Sequence, residues 1–202
     1  MEKRKIVFAS ANPGKIREAS EILGDGFEIL SAAEAGVTED IPETGNTLRD
    51  NSLQKASYIY ERTGMDCFAD DTGLEVDILG GAPGVHTARY AGEGKDFNAN
   101  ISKLLFEMER AEKAGVTPMN RKARFRTSVT LIIGGEVHFF DGVMEGEIAR
   151  ERSGNGGFGY DPVFIPDGCN GLTAAEIPEE EKNAISHRGK SLRAMAAFLN
   201  SL

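Results

Sequence analysis

Two runs rich in β-branched and aromatic residues, Phe125 to Ile133 and Glu136 to Ile148, flank the pair Gly134-Gly135. Adjacent glycines supply the left-handed backbone that a two-residue turn demands, so this stretch predicts an antiparallel hairpin. Elsewhere strand and helix patterns alternate. Lys5 to Ala9 reads as a short buried strand, followed by the turn Ser10-Ala11-Asn12-Pro13. Gly14 to Leu23 then predicts a helix with Ile16, Ala19, Ile22 and Leu23 on one face and Gly24 at its end. Phe27 to Leu30 predicts a second strand. After the acidic loop Glu39 to Glu43, Thr47 with Asp50 three residues on predicts a capped helix running to about Thr63, stopped by Gly64. Cys67 to Ala69 and Leu74 to Leu79 predict two strands separated by Asp70-Asp71-Thr72-Gly73. Asn98 is placed to cap a helix over Ala99 to Ala114, Gly115 to Lys122 is the most linker-like stretch, and Ser186 is placed to cap a last helix through Leu199. Helices and strands alternating around a β-rich middle imply an α/β fold with a mixed sheet.

With 202 residues, 40% of them hydrophobic, the chain can bury a real core, which excludes disordered and fibrous architectures. Its 23 basic residues face 32 acidic ones, a formal net charge of −9. A protein that grips nucleic acid through a broad basic face carries the opposite sign, so no nucleic-acid partner is expected and only a local basic site could hold a polyanion. Cys67 and Cys169 lie in no metal-ligand spacing, which argues against a zinc site or a disulfide framework. The apolar run near the N-terminus is too short for a signal segment, and no stretch approaches a membrane-spanning length. A cytoplasmic protein with no membrane partner is the expectation.

Four segments could carry chemistry. Ser10-x-Asn12-x-x-Lys15 sits at a strand-to-helix turn, where backbone N–H groups and the positive helix end favour an anion and the side chains add donors. A helix cap with a solvated Lys15 explains the same residues equally well. Asp70 and Asp71, after a short strand, suit a hard cation such as Mg²⁺, with Glu43 or Asp40 as a further ligand; a simple turn is the alternative. Gly156 to Pro162 surrounds Phe158 and Tyr160 with glycines and could let a flat ligand stack on a ring, or could be a hinge with Phe158 tucked inward. Lys182 and Ser186-His187-Arg188 gather donors near a helix start, where the dipole disfavours cations unless something anionic or carbonyl-rich compensates. Asn51 and Lys55, four apart, share one helix face, as ordinary surface residues also do. Together these segments describe a nucleoside triphosphate site.

Ser10-Ala-Asn12-Pro-Gly-Lys15, Ala69-Asp-Asp-Thr-Gly73, Leu79-Gly-Gly-Ala-Pro-Gly84, Ala88-Arg-Tyr-Ala-Gly92, Gly157-Phe-Gly-Tyr-Asp-Pro162 and Ser186-His-Arg188 resemble, in order and spacing, the inosine/xanthosine triphosphate pyrophosphatases. The resemblance implies a Mg²⁺-dependent, cytoplasmic homodimer that converts ITP, dITP and XTP to the monophosphate and pyrophosphate. It implies a single domain over residues 1–202, an elongated α/β structure with a mixed sheet, flanking helices and two lobes around a central substrate cleft. It further implies that Ser10, Ala11, Asn12, Pro13, Gly14 and Lys15 hold the phosphates with Lys55 as a second cation. Asp71 is then the catalytic carboxylate and a metal ligand, Glu43 the second ligand and Thr72 a substrate contact. Phe158, Gly159, Tyr160 and Asp161 frame the base and sugar, and Lys182, His187 and Arg188 complete base recognition. How Asp70 and Asp71 divide their work stays open. Two rival readings remain, a broader nucleotide pyrophosphatase and a nucleotide-binding regulatory module without turnover.

Overall fold

The computed structural model describes residues 3–202. Strands β1 (Arg4–Phe8), β2 (Phe27–Ser31), β3 (Cys67–Val76), β4 (Lys122–Ile133), β5 (Glu136–Ile148) and β6 (Phe164–Pro166) form one sheet in the order β2-β1-β3-β4-β5-β6. β1 pairs in parallel with both β2 and β3, whereas β5 and β6 are antiparallel, so the sheet is mixed. β4 and β5 are neighbours joined by Gly134 and Gly135 alone, at φ of 58° and 86°. A two-residue link permits only an antiparallel pair, and the hairpin stands as its glycines imply. The α-helices of the described residues are α1 (Pro13–Leu23), α2 (Leu48–Thr63), α3 (Phe97–Lys113), α4 (Glu179–Ile185) and α5 (His187–Leu199).

The chain divides into two compact units. One takes the residues up to Asp71 with Thr127–Gly142 and Arg188–Leu202; the other takes Thr72–Arg126 and Val143–His187. In the first unit the pleat sorts the core. Ile6, Phe8 and Phe68 join Ala19 and Leu23 of α1 and Leu192, Met195 and Ala196 of α5 in one cluster. Val7, Ala9, Cys67 and Ala69, the alternate positions on the same strands, join Ala56 and Ile59 of α2 in another. Successive side chains leave a strand on opposite faces, so α1 and α5 cover one face here and α2 covers the other. The second unit has its own core, in which Leu74, Val76, Phe125 and Phe164 pack with Ile101, Leu104 and Met108 of α3.

The helix signals largely hold. Asn12 caps α1, its side chain accepting from the N–H groups of Gly14 and Lys15, and Gly24 ends it. Thr47 and Asp50 form a reciprocal capping box on α2, and Gly64 closes that helix in the left-handed conformation. Three readings need correction. Cys67 to Ala69 and Leu74 to Leu79 are not separate strands: Asp70-Asp71-Thr72-Gly73 stays extended inside β3, and Asp77–Leu79 is a 3₁₀ turn. Pairing in the sheet overrides the turn preference of those residues. Asp96, not Asn98, caps α3, which begins at Phe97; Asn98 instead accepts from Arg152. Lys122 is the first residue of β4 rather than linker. A further short helix, α4, precedes the last one, and Ser186 stands directly before α5, its hydroxyl donating to the Asn183 carbonyl at 3.3 Å.

Candidate active site

β1 delivers the chain to the turn at Ser10, and α1 begins immediately after it. The Ser10 hydroxyl accepts from the N–H of Asn12, and Asn12 in turn caps Gly14 and Lys15, with Pro13 pre-set for the first helical position. Ala11, Asn12, Pro13 and Gly14 are exposed. Lys15 is half-buried and ion-paired rather than free in solvent. Its Nζ donates to both oxygens of Asp70 at 3.0 and 2.9 Å. Arg188, near the start of α5, donates from Nε to Asp70 Oδ2 at 3.0 Å and pairs with Glu18 of α1 at 3.5 Å. Asp70 is therefore a buried carboxylate held by two cations. Burial alone raises its pKa, but Lys15, Arg188 and Lys55 outweigh that and hold the carboxyl well below the usual range.

Asp71, the next residue, lies in the surroundings of α2. Its Oδ2 accepts from Asn51 Nδ2 at 3.1 Å, and its Oδ1 lies 3.5 Å from Lys55 Nζ. Lys55 donates to Glu43 Oε1 at 2.6 Å, so a single ammonium joins the two carboxylates named as metal ligands. Burial pushes the Asp71 carboxyl up; Lys55 and Asn51 pull it down, but Glu43 and Asp70 add repulsion, and the net shift is upward. Lys55 shows the converse: burial lowers its pKa, yet Asp70, Asp71 and Glu43 more than reverse this. Adjacent carboxylates thus end with opposite acid–base character. Asn51 and Lys55 are buried at 4% and 7% exposure, which sets aside the reading of an ordinary surface face.

The cluster in this unit sets three cations, Lys15, Lys55 and Arg188, against four carboxylates, Glu18, Glu43, Asp70 and Asp71. Among the described residues no group of three or more His, Cys, Asp or Glu side chains is gathered as a metal cage.

In the second unit, the Asp161 carboxylate organises the glycine-rich loop. Its Oδ2 accepts from the Phe158 N–H at 2.7 Å and from Lys182 Nζ at 3.1 Å. Gly157, at φ +77°, leaves room for that carboxylate, since a Cβ there would fall 2.2 Å from Asp161 Oδ2. Phe158 is 69% exposed, edge-on to Phe97 with centroids 4.5 Å apart, so its ring is not tucked inward. Gly159 follows in the left-handed conformation at φ 60°. The Tyr160 ring is buried and its hydroxyl donates to the Thr87 carbonyl, so the ring packs in the core of this unit rather than on the loop surface. His187 stacks on Phe125 at 5.1 Å. Thr72 directly follows Asp71 on β3. The Ser186-His187-Arg188 run is thus divided: His187 packs in the second unit, while Arg188 serves the carboxylates of the first.

Sequence reasoning missed Glu18 as the second acceptor for Arg188. It noted Asn51 without assigning it to the site, and it passed over Gln54, whose side chain accepts from the Thr44 N–H at 2.8 Å. The available signal was the i, i+3, i+4 spacing of Asn51, Gln54 and Lys55 on one face of α2.

The family model described as the Ham1 family matches residues 6–198. The chain belongs to the Ham1 family. Among relatives, this Ham1-family chain is 51% identical to a dITP/XTP pyrophosphatase of Porphyromonas gingivalis, covering 96% of this chain and 97% of the relative. It is 44% identical to a dITP/XTP pyrophosphatase of Bacillus subtilis, with 98% of each covered. Among solved structures, a HAM1 protein from Coxiella burnetii superposes with a TM-score of 0.91 at 38% identity, covering 98% of this chain and all of that one. The Staphylococcus aureus Ham1 protein gives 0.87 at 36% identity, with 98% and 99% covered. No helix among the described residues is long and apolar enough to cross a membrane.

Proposed function

We propose that this protein hydrolyses nucleoside triphosphates of deaminated purines, dITP, ITP and XTP, to the monophosphate and pyrophosphate. The observation that carries the reading is the Glu43–Lys55–Asp71 arrangement, in which one buried ammonium joins two carboxylates and one of those carboxylates is raised in pKa. The names of the relatives point to the same reaction.

The donor set fits a hard divalent cation. Four carboxylates against three cations leave the cluster with an excess negative charge, its donors are all oxygen, and Asp71 is raised in part because Glu43 and Asp70 repel it. Glu43 and Asp71 are the residues that would hold the ion; two carboxylates completed by substrate phosphates is the usual manner for Mg²⁺. When bound, Mg²⁺ neutralises phosphate charge and makes a bound water more acidic. Asp71, beside that ion, would take the proton of the attacking water. Lys15 and Lys55 stabilise charge on the departing pyrophosphate, and Asp70 fixes Lys15 in place for that task. Ser10, Asn12 and the first turn of α1 hold phosphate oxygens, and Thr72 contacts the substrate.

Phe158, Gly159, Tyr160, Asp161, Lys182, His187 and Arg188 make up the base and sugar side of the proposal. Arg188 is shared by Asp70 and Glu18, so reading a base means exchanging a carboxylate acceptor for a carbonyl. Deamination puts a carbonyl at purine position 6, and Lys182 and Arg188 can only donate. An adenine amine in that place leaves donors facing donors, at about 1–3 kcal/mol per buried group, or roughly ten- to a hundredfold in selectivity. The same reading carries a single catalytic domain, a homodimer and a cytoplasmic setting.

The test is pyrophosphate release by the purified protein with Mg²⁺ and each of dITP, XTP, GTP and ATP. The expected result is kcat/KM for dITP and XTP above that for ATP by at least about tenfold. Binding of dITP without release of pyrophosphate would instead make the protein a regulatory nucleotide binder.

A further inference from the structure

Loop 43–45, which carries Glu43, is held to α2 at three successive residues. Lys55 donates to Glu43, Gln54 accepts from the Thr44 N–H, and Asn51 Oδ1 accepts from the Gly45 N–H at 2.7 Å. Of these, Asn51 also reaches the strand: its Nδ2 donates to Asp71 Oδ2 at 3.1 Å. The side chain is buried, so both contacts are made away from water, where leaving either partner unsatisfied is costly. Only an amide supplies a donor and an acceptor at this reach; a carboxylate cannot donate and a hydroxyl is too short. Gly45 completes the fit. A Cβ there would fall 2.6 Å from Asp50 Cβ and 2.8 Å from Asn51 Oδ1, so the loop approaches α2 this closely because Gly45 has no side chain.

From this geometry we infer that Asn51 is a positioning residue: its amide couples Asp71 to the loop bearing Glu43, fixing the two carboxylates relative to each other for a divalent cation. The inference rests on the reaction proposed above. Lys55, one turn further along α2, touches the same two carboxylates but as a charge, 3.5 Å from Asp71 and without a directed donor hydrogen bond to it. Asn51 is what orients the Asp71 carboxyl plane. Groups that orient a metal ligand in this way typically change metal affinity or activity about 10–100-fold when removed.

The test compares the wild-type protein with N51A and the near-isosteric N51L, and with Gly45→Ala, which crowds the loop contact while leaving the Asn51–Asp71 bond. Mn²⁺ binding to the nucleotide-free protein is followed by the electron paramagnetic resonance signal of free Mn²⁺, alongside pyrophosphate release from dITP and thermal melting. N51A and N51L are expected to weaken Mn²⁺ binding about 10–100-fold and to lower kcat in the same range, with dITP KM within about threefold. Gly45→Ala should weaken Mn²⁺ binding by less than either. Cooperative melting of N51L with wild-type Mn²⁺ affinity and wild-type kcat would overturn the inference. So would loss of cooperative melting in both Asn51 variants, which would make Asn51 a folding residue. If the wild-type protein binds Mn²⁺ but releases no pyrophosphate, the proposed reaction fails, and the Mn²⁺ comparison still decides the role of Asn51.

Discussion

Along an extended strand successive side chains leave opposite faces, so Asp70 and Asp71, adjacent on β3, meet different helices. Asp70 follows Phe68 onto the face covered by α1 and α5, where Lys15 and Arg188 occupy both its oxygens. Asp71 follows Cys67 and Ala69 onto the face of α2, where Asn51 and Lys55 await it. The pleat thereby leaves the Asp71 carboxyl with a raised pKa and holds Asp70 ionised between Lys15 and Arg188. On the proposed mechanism Asp71→Asn removes the proton acceptor while keeping the side-chain shape, so kcat on dITP should fall about 10²–10⁴-fold with a much smaller change in KM. Steady-state pyrophosphate release checks this, and near-normal kcat would remove Asp71 from the chemistry.

Elements are tied together by the same currency of directed hydrogen bonds. Arg121, just before β4, donates to the carbonyls of Ile148 and Ala149 at the end of β5, and Glu112 near the end of α3 holds its guanidinium at 2.7 Å. The hydrogen bond from Arg121, against the upward push of burial, keeps the Glu112 carboxyl below its ordinary value of 4.5. A lowered pKa means the native state favours the ionised form, so this contribution is present above pH 4.5 and is lost as pH falls through the lower native value. Glu112→Gln should therefore cost about 1 kcal/mol at pH 7, or about 2–4 °C in Tm for a chain of this size. Melts recorded from pH 7 to pH 3 should show the gap to wild type closing below pH 4.5, and a constant gap would mean that charge is not the cause. The helix starts at Asn12 and Thr47 were legible because capping is a local matter of three or four residues. The continuity of β3 was not, because Asp-Asp-Thr-Gly prefers a turn in isolation and is held straight only by the strands on either side of it.

For the whole molecule, the net charge of −9 first says only that polyanions are unwelcome. The structure sharpens this: Lys15, Lys55, Lys182 and Arg188 each already have a carboxylate partner, so their charge is not available in full to a triphosphate. On the proposed function, a divalent cation held by Glu43 and Asp71 would then supply much of the attraction for a triphosphate, beside the first turn of α1. Excess chelator should reduce dITP hydrolysis to background, and restored Mg²⁺ should recover it; undiminished turnover in chelator would refute the charge argument. The sequence by itself determined the α/β class, the hairpin at Gly134-Gly135, most helix ends and the residue types of the site, since periodicity, turn chemistry and caps act over a few neighbours. Only the tertiary structure decided that Asp70 is spent on Lys15 and Arg188, that Tyr160 is buried, and that Asn51 joins the strand to the Glu43 loop. Those outcomes depend on which helix covers which face of the sheet, and contacts between residues 20 to 118 positions apart leave no local trace in the chain.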